Sequence, residues 1–205
     1  ALRLIYPALQ PQLPEILTDA ETERLLEVTI PSPLWHALVA TFRYAGPKRE
    51  EALALRRTDI ELRTQPPSIT LRRRRPSRYN RDRSLQIQPP LLTVLSSYLD
   101  HLEGSLLFPL HVRSVQWGLS HYADLAGMTR PVSAQTLRDT FAVAWLRDQI
   151  PAEQSVLEQA GRDRYAAVVD EHHRRLLDLL GLAENTGPVA ISKYRRLAQP
   201  ILSAS

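Results

Sequence analysis

Apolar positions recur at helical spacing along most of the chain and alternate in only one stretch. Thr18 is followed three residues later by Glu21, a capping box in which each side chain satisfies an orphan backbone N–H of the first turn, and Leu25, Leu26 and Val28 then share a face. Pro31 and Pro33 end that helix. Leu34, Leu38, Val39 and Phe42 give a second helix over 34–44, broken at Ala45-Gly46-Pro47, and a third begins near Arg49 and buries Ala52, Leu53 and Leu55. From Ser68 to Ile87 the period becomes two: Ile69 and Leu71 alternate with polar residues, an arginine-rich stretch intervenes, and Leu85 and Ile87 alternate again. This predicts a β-hairpin with a long basic turn. Pro89 and Pro90 open a helix carrying Leu91, Leu92, Leu95 and Leu99. Residues 112–126 form another, with Val115, Leu119, Tyr122 and Ala123 inward. Further helices are predicted at 134–148, 152–160 and 164–180, the last ending at Gly181. Trp35, Trp117 and Trp145 lie among apolar neighbours and are expected in the core.

The fold class expected is therefore mainly α with a small β-hairpin or sheet (α+β). Residues 1–17, with three prolines and no period, read as an interdomain linker. Residues 18–185 form the domain, and 186–205 a C-terminal tail.

Composition narrows the chemistry. A hydrophobic share of 43% over 205 residues supports one substantial core. There is no Cys, and the six His lack metal-ligand spacing, so no disulfide, metal or cofactor is expected. No apolar run is long enough for a bilayer and no signal segment is visible, which predicts a cytoplasmic protein with no membrane partner. Net charge is +4, and Lys48 and Lys193 are the only lysines among 26 basic residues. The arginines cluster: Arg72, Arg73, Arg74, Arg75, Arg78, Arg81 and Arg83 face only Asp82 as a local counter-charge. Such density suits phosphate. If about five of them neutralise backbone phosphates, log K for duplex DNA falls with log salt at a slope of roughly −4 to −5.

Four motifs then occur in order. Ala45-Gly46-Pro47-Lys48-Arg49-Glu50-Glu51-Ala52-Leu53-Ala54-Leu55-Arg56-Arg57-Thr58-Asp59-Ile60 resembles the first box of tyrosine recombinases (phage integrases), T-G-L-R-x-x-E-L-x-x-L-x-x-x-D-I, with Gly46, Glu51, Leu55, Asp59 and Ile60 in register. Ser105-Leu106-Leu107-Phe108-Pro109 resembles the family's "LFP" turn, and Ala126-Gly127 its "AG" step. Gln135-Thr136-Leu137-Arg138-Asp139-Thr140-Phe141-Ala142 resembles the second box, H-x-L-R-H-T-F-A. The resemblance covers residues 14–165 and implies a helical catalytic domain that clamps duplex DNA and binds it as a tetramer, neighbours trading a C-terminal segment. In that family a tyrosine hydroxyl attacks a phosphodiester to give a 3′-phosphotyrosine. Two arginines and a His or Lys hold the phosphoryl oxygens, and a hairpin lysine protonates the leaving oxygen.

Carried over residue by residue, the resemblance implies a depleted site. Lys48 takes the first-arginine position and lacks the bidentate fork. Arg74 is the best match to the hairpin lysine, and an arginine is a poor general acid. Gln135 replaces the histidine of the second box, Arg138 is intact, and Asp139 brings negative charge to the next position. Ala160-Gly161-Arg162 matches the family's L-G-H, so Arg162 replaces its His or Trp. Glu171 stands where the nucleophilic Tyr is due. Tyr165 is too close to Arg162, and Tyr194 too far along, for ordinary spacing.

Blander readings accompany these. Arg138 as a structural arginine pairing with Asp139 or Glu51 is the alternative to phosphate contact, and Lys48 and Arg162 divide between DNA contact and surface charge. Glu51 reads as a partner orienting a cation, and His172-His173 as part of a wet helix face. The function expected is that of a catalytically degenerate DNA-binding recombinase-family domain, acting on duplex DNA with copies of itself or beside an active recombinase, on the nucleoid. The alternatives are an active recombinase using Tyr165 or Tyr194, and a protein-interaction module on the same scaffold.

Overall fold

A computed structural model describes residues 13–72, 82–183 and 187–199. Seven helices surround a small sheet among these residues: α1 (Asp19–Thr29), α2 (Pro33–Ala45), α3 (Arg49–Ala54), β1 (Ile60–Glu61), β2 (Ser68–Leu71), β3 (Arg83–Gln86), α4 (Pro89–Asp100), α5 (Val112–Leu125), α6 (Ala134–Leu180) and α7 (Gly187–Ala198). The mainly α architecture is the one the hydrophobic pattern predicts.

Local signals explain most boundaries. The capping box forms at α1, where Glu21 N donates to Thr18 Oγ1 (3.2 Å) and Thr18 N donates to Glu21 Oε2 (2.7 Å). Pro33 starts α2, since its missing N–H is one a first turn leaves unpaired in any case. Gly46 ends α2 in the left-handed region (φ 55). The hairpin pairs Ile69 with Leu85 and Leu71 with Arg83. A third strand was not anticipated: β1 pairs Ile60 with Ile69, and two residues are too few to show a period.

The C-terminal half departs from expectation. Three predicted helices are one element, α6, in which Pro151 forfeits a backbone donor without ending the helix. Only Gly161 leaves helical geometry (φ 80, ψ −178), a conformation essentially reserved for glycine. There the chain folds back. Glu153 and His172 approach to 2.8 Å although a straight helix would separate them by roughly 28 Å. The arms, 134–160 and 162–180, therefore run antiparallel.

Two cores result. One gathers Leu25, Leu38, Phe42, Ile69, Leu71, Leu91, Leu95, Val115, Leu119 and Leu137. The other joins Phe141 and Leu146 of the first arm, Leu176, Leu177 and Leu180 of the second, and Ile191, Tyr194 and Ala198 of α7. The tail's helix is thus a wall of its own chain's second core. Among the tryptophans, Trp117 is not core: it is 78% exposed. Trp35 and Trp145 are half-buried, and Trp35 covers Gly118, where a Cβ would lie 1.9 Å from its ring. No helix among the described residues is long and apolar enough to cross a membrane.

Candidate nucleic-acid interface

The site is built on the short loop between α2 and α3. Gly46 turns the chain under Phe141, whose ring would lie 2.3 Å from an added Cβ. Two residues on, Lys48 caps α3, its backbone N donating to Glu51 Oε2 (2.8 Å). Glu51 is 5% exposed and needs a cation. Arg83 supplies it: Nη1 and Nη2 donate to Oε1 and Oε2, each at 2.8 Å, and Nε donates to the Leu179 carbonyl (2.9 Å). Arg138, 3% exposed, donates from Nη1 to the Gly46 carbonyl and from Nη2 to the Leu180 carbonyl. Leu179 and Leu180 close α6, where unpaired carbonyls and the negative end of the helix dipole favour cations.

Both roots of the basic hairpin are tied to carboxylates of the first motif. Arg83 holds Glu51, and on the opposite strand Arg72 Nε donates to Asp59 Oδ1 (2.6 Å), with Asp59 buried and Arg72 exposed. Asp59 also accepts the Arg56 backbone N–H (2.9 Å). The eight-residue spacing of Glu51 and Asp59 thus places one anchor under each strand.

Lys48, Gln135 and Arg138 line one cavity of about 290 Å³, together with Arg49, Glu50, Gln116 and Ser133. Three of the residues identified from sequence are thereby brought together. Gln135 Nε2 donates to Asp139 Oδ1 (2.7 Å), which also accepts the Tyr194 hydroxyl (2.6 Å). Burial pushes the Asp139 carboxyl up against the opposing effects of Tyr194, Gln135 and Arg138. Burial, then the bond to Asp139, pushes the Tyr194 phenol up as well. A neighbouring cavity of about 340 Å³ is lined by Pro14, Gln135, Asp139, Lys193 and Tyr194 among others. Tyr194, at the wrong spacing for the resemblance, is thus beside Gln135. The available signal was Ile191, Tyr194 and Ala198 at i, i+3 and i+7, one inward stripe.

The remaining candidates lie elsewhere. Arg162 and Glu171 are exposed and line neither cavity. Arg73, Arg74, Arg75, Arg78 and Arg81 fall outside the described residues. Arg83, counted with the DNA-facing arginines, points inward, because its fork fits the Glu51 carboxylate and the Leu179 carbonyl. Strand alternation carried that signal, since Arg83 shares a face with Leu85 and Ile87, both buried. Arg138 likewise spends two donors on backbone carbonyls rather than on an acidic side chain alone. His172 and His173 are half-buried, not on a wet face. His172 Nδ1 meets Glu153, and the Glu153 carboxylate also accepts both Nη groups of Arg195 on α7. Glu153 first, and Tyr165 to a lesser extent, push the Arg195 pKa up. No cluster of three metal-ligating side chains occurs among the described residues.

No family model and no curated protein sequence matches the chain. Solved structures do. XerA recombinase is similar with a TM-score of 0.67 and 22% identity, over 94% of this chain and 65% of its own. XerH site-specific recombinase bound to palindromic difH substrate, a post-cleavage complex, gives 0.66 and 16% over 92% and 51%. The XerH pre-cleavage complex with difH substrate gives 0.61 and 17% over 91% and 51%. The chain therefore spans about half to two thirds of the length of these recombinases. Over that span it has the fold of a tyrosine recombinase catalytic domain.

Proposed function

We propose that this chain is a duplex-DNA-binding domain of the site-specific recombinase type that holds a backbone phosphate at the Lys48 cavity but does not cut the strand, serving recombination as an accessory or regulatory subunit beside an active recombinase or copies of itself. The observation that carries this is the convergence of Lys48, Gln135 and Arg138, distant in sequence, on one cavity. Lys48 offers a point charge for a phosphoryl oxygen, and the arginines between Arg72 and Arg83 in sequence add further positive charge for phosphate. The chemistry of cleavage is depleted. Gln135 cannot exchange a proton at neutral pH, Arg138 is occupied with carbonyls, and Glu171 is exposed on the second arm. The bound difH substrate of the fold neighbour XerH supports DNA as the ligand class.

The test is a nicked, labelled duplex at low salt, run on denaturing gels beside a native mobility-shift titration across salt. A native shift with a log–log slope of roughly −4 to −5 and no denaturation-resistant adduct is the expected result. Absence of any shift at low salt would turn the reading toward a protein-interaction module. One observation favours a second reading: the Tyr194 hydroxyl donates to the carboxyl group of Asp139, beside Gln135. A covalent adduct abolished by Tyr194→Phe, but not by Tyr165→Phe, would make Tyr194 a nucleophile and this chain a working recombinase.

A further inference from the structure

We propose that Arg83 is a positioning residue for Lys48 rather than a DNA contact, bolting the root of the basic hairpin both to the loop that presents Lys48 and to the end of α6. This rests on the reading that Lys48 meets a DNA phosphate, and deepens it.

The connectivity is closed on both sides of the loop. On one side, the Glu51 carboxylate that accepts the Lys48 backbone N–H is gripped by both Nη groups of Arg83. On the other, the Gly46 carbonyl accepts Arg138. Both guanidiniums end on consecutive carbonyls, Leu179 and Leu180. Residues 46–48 cannot shift without breaking a buried charged bond, so the Lys48 Cα is fixed at the cavity's edge. That matters for lysine in particular, a point charge on a flexible stem whose reach is defined only by where the stem starts.

Arg83 is poorly suited to touching DNA. Nε, Nη1 and Nη2 all have protein partners, and the side chain is 9% exposed against 5% for Glu51. Turning it outward would take both Nη donors from a buried carboxylate, the costly way to break such a pair. Arg83 is also the first residue of β3, directly after the basic stretch, paired across the ladder with Leu71. The Arg83 side chain therefore links the residue that follows that stretch to the loop carrying Lys48.

The test is a double-mutant cycle on affinity for a short labelled duplex of mixed sequence, with thermal melts confirming that each variant is folded at the assay temperature. Lys48→Met in the wild-type background is expected to weaken binding about tenfold, the loss of one charged hydrogen bond. In an Arg83→Lys background, which keeps the charge but loses the fork, the same change is expected to cost less than about twofold, because Lys48 is no longer held in place. Glu51→Gln keeps an acceptor for the Lys48 N–H but not the ion pair. It is expected to reproduce Arg83→Lys and replaces it should that variant not fold. With Lys48 already removed, in a Lys48→Met, Glu51→Gln background, Arg83→Met should leave the salt slope unchanged. A further fall of about 0.9 there would make Arg83 a phosphate contact and overturn the proposal. If Lys48→Met costs the same in every background, Arg83 is merely structural, the proposal is wrong and the DNA reading stands. If Lys48→Met costs nothing in the wild type, the phosphate reading itself fails and the proposal goes with it.

Discussion

Changing Arg195 to Met tests how α7 is held to the rest of the domain. Glu153, 1% exposed on the first arm of α6, accepts both Nη groups of Arg195 and the Nδ1 of His172 on the second arm, so one carboxylate joins three helical segments. Burial pushes the Glu153 carboxyl up, but the hydrogen bonds from Arg195 and His172 and their charges outweigh burial and hold it below the ordinary value. Met preserves most of the aliphatic volume of Arg and leaves the carboxylate facing His172. Removing one partner of a buried pair costs about 3–5 kcal/mol. The Arg195 side chain retains 13% exposure, which puts the cost at the lower end, about 3 kcal/mol. For a domain of this size each kcal/mol moves Tm by about 2–4 °C, so the variant is expected to melt roughly 6–12 °C lower. The loss should begin locally, with amide exchange in α7 accelerating ahead of α2 and α4. Because the folded Glu153 pKa lies below its unfolded value of 4.5, its stabilisation is complete above that value and is lost as pH falls through the folded one. A Glu153→Gln, Arg195→Met double variant should therefore recover much of the neutral-pH stability and lose this part of the acid dependence. An Arg195→Met protein melting within about 2 °C of wild type, with α7 exchange unchanged, would refute the reasoning.

Other changes probe the same architecture. Gly161→Ala meets no atom within 4 Å, so its cost is that of the backbone conformation alone, about 1–3 kcal/mol, read as a lower Tm; an unchanged Tm would mean that the arms do not depend on that turn. Gly46→Ala adds a clash with Phe141 to a positive φ and is expected to cost more than Gly161→Ala in the same melt. Tyr194→Phe leaves the buried Asp139 with one fewer donor and should destabilise by about 1–3 kcal/mol in calorimetry, whatever its effect on DNA.

The sequence was most legible where one face of an element is wet. The helices α1, α4 and α5 each meet a core on one side, so their apolar stripes, caps and flanking prolines mark them clearly. Segment 136–143 of α6 is buried on all sides, and there periodicity carries nothing about which polar residues point where. Arg138 and Asp139 look alike in sequence whether they face DNA or the interior, and only the carbonyls of Gly46 and Leu180 and the hydroxyl of Tyr194 decide it. Proline as a boundary signal failed at Pro151, where α6 continues in helical geometry with one backbone donor missing. The true break lies at Gly161, a single residue with no turn cluster around it.

The same distinction governs the arginines. Charge density makes the 72–83 stretch a candidate for phosphate contact, but density cannot separate a residue that touches a ligand from one that holds the region in place. Position in the strand can. Arg83 follows the parity of Leu85 and Ile87 into the protein, and the acceptors it meets there, Glu51 and Leu179, lie on elements that also frame Lys48. Arg83, at the root of the basic stretch, is therefore joined through Glu51 to the loop that carries Lys48. On the proposed DNA-binding reading, the contributions of Arg83 and Lys48 to affinity should be coupled while these bonds are intact and additive once they are cut.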